Sequence, residues 1–437
     1  MAYPTIPDFE TLSKQLAQYA QLKHEYGAEG SAPLLAKAEE AMRAGIDELQ
    51  GLPDDPQMAR REPNDLATIR KLRPAGTRRL WTRLDNAQYR DRLTGALLGR
   101  FAGCTLGAPV EFWTIERMQR QAKENGDDYP PTDYWSYIQD PYRLRYQFEP
   151  FTTFEAYTRD NIDGVPIDDD LVYTVLGLLI MEDFGPDFTV DDVGKAWLEY
   201  LYYGCTAERM TLRNLKAGVP AREAAEKDNP FTEWIGADIR SDPWGYMALG
   251  WPEKAAEFAY RDAYISHRRQ GIYGEMFFAA AIAAAFTVDD PVEALRIGLT
   301  EIPAQCALAG AVRWALEVAP GIKDYRAARD AVDERFAGMS NVHTINNACL
   351  TIWGITIGGT DFTRAIGETV AMGMDNDCTA ATVGSIVGAV VGAGSIPERW
   401  TRNFHDKAHS YIIGRHLFRI SDLIERFAAQ AARVYGL

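Results

Sequence analysis

Apolar residues recur at helical spacing through most of this chain, and sustained alternation at strand spacing is hardly seen. The pattern predicts two polar-faced helices near the amino terminus, over Thr11–Tyr26 and Ala32–Leu49, separated by the Gly-rich turn from Tyr26 to Gly30. From Gly51 to about Thr77 the composition turns to Pro, Asp and Arg (GLPDDPQMARREPND), which interrupts regular structure and predicts a linker with a boundary near Leu84. Beyond it, Ala-rich segments predict helices over Arg90–Gly107, Leu171–Asp183, Ala255–Ser266, Tyr273–Phe286, Val312–Val318, Ala327–Phe336, Asn346–Thr356, Thr379–Gly392 and Ile420–Val434. The expected fold is all-α, a compact assembly of many short helices, with residues 1–84 as a helical extension and linker and residues 85–437 as one domain.

A chain of 437 residues can bury a core without disulfide or metal staples, and 46% hydrophobic with 25% charged residues is the make-up of a soluble globular protein. Lys and Arg number 46 against 62 Asp and Glu, a net charge of −16, so the basic face needed to displace counterions from nucleic acid is not expected. The five cysteines (Cys104, Cys205, Cys306, Cys349, Cys378) are scattered and form no CxxC, which points to a reducing compartment. Met1–Glu10 has no basic segment leading into an apolar one, so a cytoplasmic location is expected. The stretch from Cys378 to Ile396 has the length of a bilayer span and a GxxxG spacing, but its Gly, Ala, Ser and Thr content predicts a buried helix and no membrane partner. The oligomeric state is left open.

Gly95, Gly99, Gly103 and Gly107 stand four apart in TGALLGRFAGCTLGAPVEFW, and Ala380, Gly384, Gly388 and Gly392 repeat the spacing. Each such glycine costs a helix about 1 kcal/mol relative to Ala, so each stripe predicts a second backbone passing very close. The ends of the helices carry acid: Asp168-Asp169-Asp170 precedes one, and Asp375-Asn376-Asp377-Cys378-Thr379 precedes another. A helix amino terminus favours acid for capping and dipole reasons alone. Adjacent aspartates repel one another, however, and a hard cation offsets that cost. Should the two ends meet, five carboxylates would suit one or two Mg²⁺ ions; spacing alone leaves capping and metal binding as alternatives.

These blocks resemble the ADP-ribosylglycohydrolase family over about Asp91–Trp400. GALLGRFAGCTLGAPVEF is similar to the family's Gly-rich first helix, with Glu111 in place of its acidic residue at the metal site and Cys104 where many members carry Asp. Ile167-Asp168-Asp169-Asp170 stands for the usual Thr-Asp-Asp-Thr, read in the register that gives three ligands; a one-residue shift leaves two. Asp375-Asn376-Asp377-Cys378 resembles Asp-Thr-Asp-Thr, with Cys378 at a common threonine-ligand position, which leaves the second ion's coordination open. Ser266-His267 with Gly271-Ile272-Tyr273-Gly274 looks like the family's ADP-ribose-contacting histidine and turn, and Trp234-Ile235-Gly236-Ala237-Asp238-Ile239-Arg240 is similar to its Gly-Ala-x-Arg loop near the phosphates.

The resemblance implies an orthogonal multi-helix fold around a binuclear Mg²⁺ centre, with Mn²⁺ as an alternative ion, that holds the ribose whose C1″ bond is cut. It implies Asp168, Asp169, Asp170, Asp375, Asp377, Cys378 and Thr379 as metal residues, and Glu111 and Asp169 as catalytic. Glu111, Gly236, Arg240, His267, Tyr273 and Gly274 are the implied contacts to ADP-ribose or an ADP-ribosylated acceptor. Such chemistry requires an electrophile on the sugar, an activated water and a proton shuttle, and helix amino termini would help with the substrate's negative charge. Two other readings stand beside it: a non-catalytic ADP-ribose or nucleotide binder, and a hydrolase of another N-ribosyl, nucleoside-like bond. His405 and His409, four apart in HDKAH, would share one face of a helix as zinc ligands do, but Asp replaces the catalytic Glu of HExxH and no third ligand is evident, so a solvated helix bearing two histidines is expected there. His343 reads as a structural residue.

Overall fold

The computed structural model describes residues 3–83, 86–137 and 154–437. The boundary expected near Leu84 lies outside the described residues; the chain forms two compact units, Met1–Arg60 and Arg61–Leu437. The smaller unit is built on α1 (Phe9–Glu25) and α2 (Ser31–Gln50), neither of which has a buried residue.

The segment expected to be a linker contains α3 (Pro56–Arg61) and α4 (Leu66–Leu72), the latter capped by the Asp65 carboxylate, which accepts from Thr68 N–H at 2.9 Å. Residues 61–83 belong to the larger unit because their side chains complete its core and ion pairs. Ile69 is fully buried, Arg73 and Arg78 reach the buried Glu301 at 2.5 and 2.8 Å, and Leu80 N–H donates to Gly250 O. The arginines that make this stretch look irregular in sequence are its anchors.

The helices that follow are α5 (Asn86–Gly107), α6 (Ile115–Asn125), α7 (Asp169–Phe184), α8 (Val190–Tyr200), α9 (Thr206–Lys216), α10 (Ser241–Met247) and α11 (Pro252–Ala263). After them come α12 (Gln270–Ala285), α13 (Pro291–Gly298), α14 (Ala307–Val318), α15 (Tyr325–Arg335), α16 (Thr344–Gly358), α17 (Phe362–Ala371), α18 (Asn376–Val391) and α19 (Ile420–Val434). The architecture is all-α, and every helix expected from Arg90 onward is present. Three helices form the centre: every residue of α12 is buried, as is nearly all of α18 and most of α7. Their sequences are apolar or small all round, which only a helix enclosed on every side tolerates. The outer helices α6, α8, α9 and α11 carry one apolar face, and α6 and α8 start on a side-chain cap, the latter the capping box of Thr189 with Asp192. Asp290, Asp324 and Asp361 cap α13, α15 and α17, so part of the acidic excess serves the helix ends.

The segment read as a histidine-bearing helix face is a strand. β1 (Lys407–Ile412) pairs antiparallel with β2 (Arg415–Arg419), with Ala408 opposite Phe418. His405 and Asp406 sit at φ 48° and 58°, outside helical geometry, and Val165 pairs with the strand through bonds to Lys407 O and His409 N. The two histidines instead hold Asp163, at 3.0 Å to its carboxylate and 3.1 Å to its carbonyl.

Candidate active site

The two small-residue stripes face each other. A Cβ built on Gly95 would fall 2.3 Å from Gly388 O, one on Gly99 2.1 Å from Gly384 O, and one on Gly103 2.0 Å from Ala380 O. A Cβ on Gly107 would fall 2.4 Å from Asp377 Cα. The order of these pairs makes α5 and α18 antiparallel, so the carboxyl end of one meets the amino end of the other. Glu111, just past α5, is thereby set beside Asp375 and Asp377. The peptide holding it is itself tied across: Phe112 N–H donates to Met374 O at 3.0 Å, with both residues in the left-handed region at φ 59° and 63°. Such strain in non-glycine residues costs of order 1 kcal/mol each and persists where the surroundings enforce it.

The other acidic run, Asp168–Asp170, reaches the same place through Arg100. This fully buried α5 residue donates to Asp170 O at 2.9 Å and lies 3.1 Å from Asp170 Oδ1, while its other arm meets Asp242 at 2.7 Å. Among the described residues three groups of side chains come close enough to share an ion: Glu111, Asp375 and Asp377; Asp168, Asp169 and Asp170; and Cys104, Asp168 and Asp377. Within each group one ligand atom per residue lies within 4.8 Å of the others. Because Asp168 and Asp377 each belong to two groups, the three form one continuous centre.

Capping accounts for only part of it. The Asp168 carboxylate accepts from Asp170 N–H at 3.0 Å and so caps α7, but Asp375, at the cap position of α18, makes no capping bond. Asp377 is buried, and its Oδ1 has no hydrogen-bond partner. Burial, and next the neighbouring Asp377 charge, push Glu111 up to about 10 and both Asp168 and Asp375 well above the usual carboxylate range. Asp377 itself is pushed up to about 6, mainly by burial. Concentrated, poorly solvated carboxylates with a free lone pair are the donor set of a hard divalent cation.

A cavity of about 280 Å³ opens over this centre, lined by the acids Glu111, Asp169, Asp170, Asp375 and Asp377 and by Trp234, Ile235, Gly236, Ile239 and Val342. Phe112, Cys205, Thr206 and Glu208 complete the wall, and reading the sequence did not identify them. Phe112 directly follows Glu111, which was a signal in plain view; Cys205 and Glu208 belong to the start of an amphipathic helix with no motif to mark it. Glu208 is buried, pushed up to about 7 by that burial, and held at 2.7 Å by Arg240.

Of the residues expected to touch ADP-ribose, Glu111 and Gly236 line the cavity and the other four do not. Arg240 is buried in an ion cluster with Glu208, Asp262 at 2.6 Å and Glu275 at 3.5 Å, so its charge is consumed by the core. His267 is fully buried against Ser266, its Nδ1 2.8 Å from Oγ, and burial drives its pKa well below the ordinary value. Tyr273 donates its hydroxyl to Pro63 O at 2.5 Å, covered by the 61–83 segment. A Cβ on Gly274 would fall 2.0 Å from Asp238 Oδ1, so this glycine makes room for a buried carboxylate. At the start of α18, Thr379 donates its hydroxyl to Asp375 O at 3.0 Å, and the buried Cys378 is outside the three groups. Cys104 takes the sulfur position instead.

Comparison with known proteins bears on the fold and the family. A solved structure described as an "ADP-ribosylglycohydrolase-related protein complex" is similar in fold, with a TM-score of 0.50 and 21% identity, covering 80% of this chain and 98% of that chain. No curated protein sequence matches. Among the described residues no helix is long and apolar enough to cross a membrane. The ADP-ribosylglycohydrolase family matches residues 85–435, which span the paired helices, Glu111, both acidic runs and the cavity, and the chain belongs to that family of hydrolases.

Proposed function

We propose that the protein is a divalent-cation-dependent glycohydrolase that cleaves the bond between C1″ of the distal ribose of ADP-ribose and an acceptor such as a protein side chain. The observation that carries this reading is the convergence of Glu111 with both acidic helix starts under one cavity. The unpartnered Asp377 Oδ1 and the uncapping Asp375 suit Mg²⁺, with Mn²⁺ as an alternative, and Asp168, Asp169, Asp170, Asp375 and Asp377 would hold it. When bound, the ion supplies Lewis-acid alignment of the ribose hydroxyls. Glu111, half-buried at the wall, passes a proton to the leaving atom, and Asp169 orients the attacking water. The surrounding carboxylates favour the positive charge that develops at C1″ in an oxocarbenium-like transition state. Phe112 and Trp234 offer flat apolar surface to the rest of the substrate.

One observation favours a second reading, hydrolysis of a nucleoside-like N-ribosyl bond: Arg240, the residue expected at the phosphates, is tied up in the core. Thermal melting with Mg²⁺, ADP-ribose and both, alongside turnover of ADP-ribosylated arginine, ADP-ribosylated serine and plain nucleosides, separates the cases. The proposal expects a joint Mg²⁺ and ADP-ribose shift, by mass action on the native state, that Asp375→Ala and Asp377→Ala abolish together with conjugate turnover. A joint shift without any turnover supports the binder instead, nucleoside turnover supports the second reading, and no response to either ligand refutes the site.

A further inference from the structure

Cys104, fully buried, is the one residue of the three groups that is not a carboxylate. It follows Gly103, whose missing side chain lets Ala380 O come within 2.0 Å of the Cβ position, so the close helix contact delivers the next side chain to the start of α18. There its sulfur shares a group with one oxygen each of Asp168 and Asp377, all mutually within 4.8 Å. Asp377, buried in the same group, has an Oδ1 with no partner.

We infer that Cys104, Asp168 and Asp377 form a mixed sulfur and oxygen position within the cation centre, which takes a thiophilic divalent ion such as Zn²⁺ or Cd²⁺ in preference to Mg²⁺. This deepens the proposed function and rests on its reading of the acids as cation ligands. Bonds of about 2.0–2.3 Å place the ligands of a tetrahedral ion roughly 3.3–3.8 Å apart, so small side-chain rotations close the set. Three protein ligands leave a fourth coordination position open. Soft sulfur is what turns an oxygen centre suited to Mg²⁺ toward zinc-like ions. Binding forms one sulfur–metal bond, breaks the S–H bond and releases that proton to solvent, with no change of oxidation state. Cys205, which lines the cavity beside Asp169, and the buried Cys378 belong to none of the three groups.

The test is titration of the full chain with Cd²⁺ in a phosphine reductant, following the ultraviolet thiolate-to-cadmium charge-transfer band, with calorimetry of Cd²⁺ and Mg²⁺ in parallel. The expected result is a band that saturates at a single equivalent in wild type and Cys205→Ser and is lost in Cys104→Ser and Cys104→Ala. Both Cys104 variants should keep their near-ultraviolet dichroism and their Mg²⁺ heat. A band that survives in both Cys104 variants, or Cd²⁺ heat without any band in wild type, overturns the thiol ligand and leaves the oxygen centre of the proposed function standing. An absence of heat with either ion overturns both.

Discussion

Replacing Gly103 with alanine puts a methyl group 2.0 Å from Ala380 O and 2.4 Å from its carbonyl carbon. An ordinary contact begins at 3.4 Å, so α5 and α18 must part locally by about 1.4 Å, because a neighbouring backbone cannot rotate away as a side chain does. Alanine's better helix propensity returns about 1 kcal/mol, and overpacking costs about 1–3 kcal/mol, at the upper end where both partners are backbone. The expected net loss is about 2 kcal/mol. Gly310 is the control with opposite sign: it lies within α14 with nothing within 4 Å of its Cβ position, so Gly310→Ala should gain up to about 1 kcal/mol. Urea unfolding followed by tryptophan fluorescence reads the larger unit alone, since all 10 tryptophans lie beyond Arg60. Parting the helices also moves Glu111 away from Asp375 and Asp377, and a displacement near 1 Å at a reacting centre costs about a hundredfold in rate. Gly103→Ala should therefore lose turnover and Mg²⁺ affinity even where it remains folded. A Gly103→Ala protein as stable as Gly310→Ala would falsify the close packing on which the site geometry depends.

Removal of residues 1–84 should destabilise the larger unit by about 3–5 kcal/mol more than removal of residues 1–60, measured by urea midpoints, because only the longer deletion strips Arg73 and Arg78 from the buried Glu301; equal midpoints would contradict this. Glu208 has its folded pKa raised to about 7 from 4.5, so the folded state holds the extra proton and this group's contribution to stability is lost as pH rises from about 4.5 through 7. Glu208→Gln should flatten that part of the stability profile, and an unchanged slope would show the carboxyl titrates normally. Phe112→Gly should relieve left-handed strain and raise stability by about 1 kcal/mol while raising KM through loss of an exposed cavity wall; unchanged KM would remove Phe112 from the substrate surface.

The helices from Arg90 onward were legible because each buries a periodic face, and the glycine stripes announced a close backbone partner before either was located. The 407–412 strand was misread because two residues four apart share a helix face only if the backbone is helical, and His405 and Asp406 have left-handed torsions that local spacing does not encode. The stretch from 51 to 77 reads as a linker for a related reason: Arg73 and Arg78 look solvated until Glu301, more than 200 residues away, is brought to them.

The all-α class, the acidic runs and the two stripes were legible along the chain, because these depend on residue type and short-range period, and Glu111 was legible through the family resemblance. Tertiary structure alone decided which donors belong to one site. The antiparallel approach of α5 and α18 set Glu111 against Asp375 and Asp377, and Arg100 drew Asp170 to the same place. The same packing admitted Cys104 to the centre, left Cys378 in the core, and consumed Arg240, His267 and Tyr273 in buried contacts. Side chains far apart along a chain share a cavity only after helices have chosen partners, and that choice is made by backbone approach over the whole length of two helices.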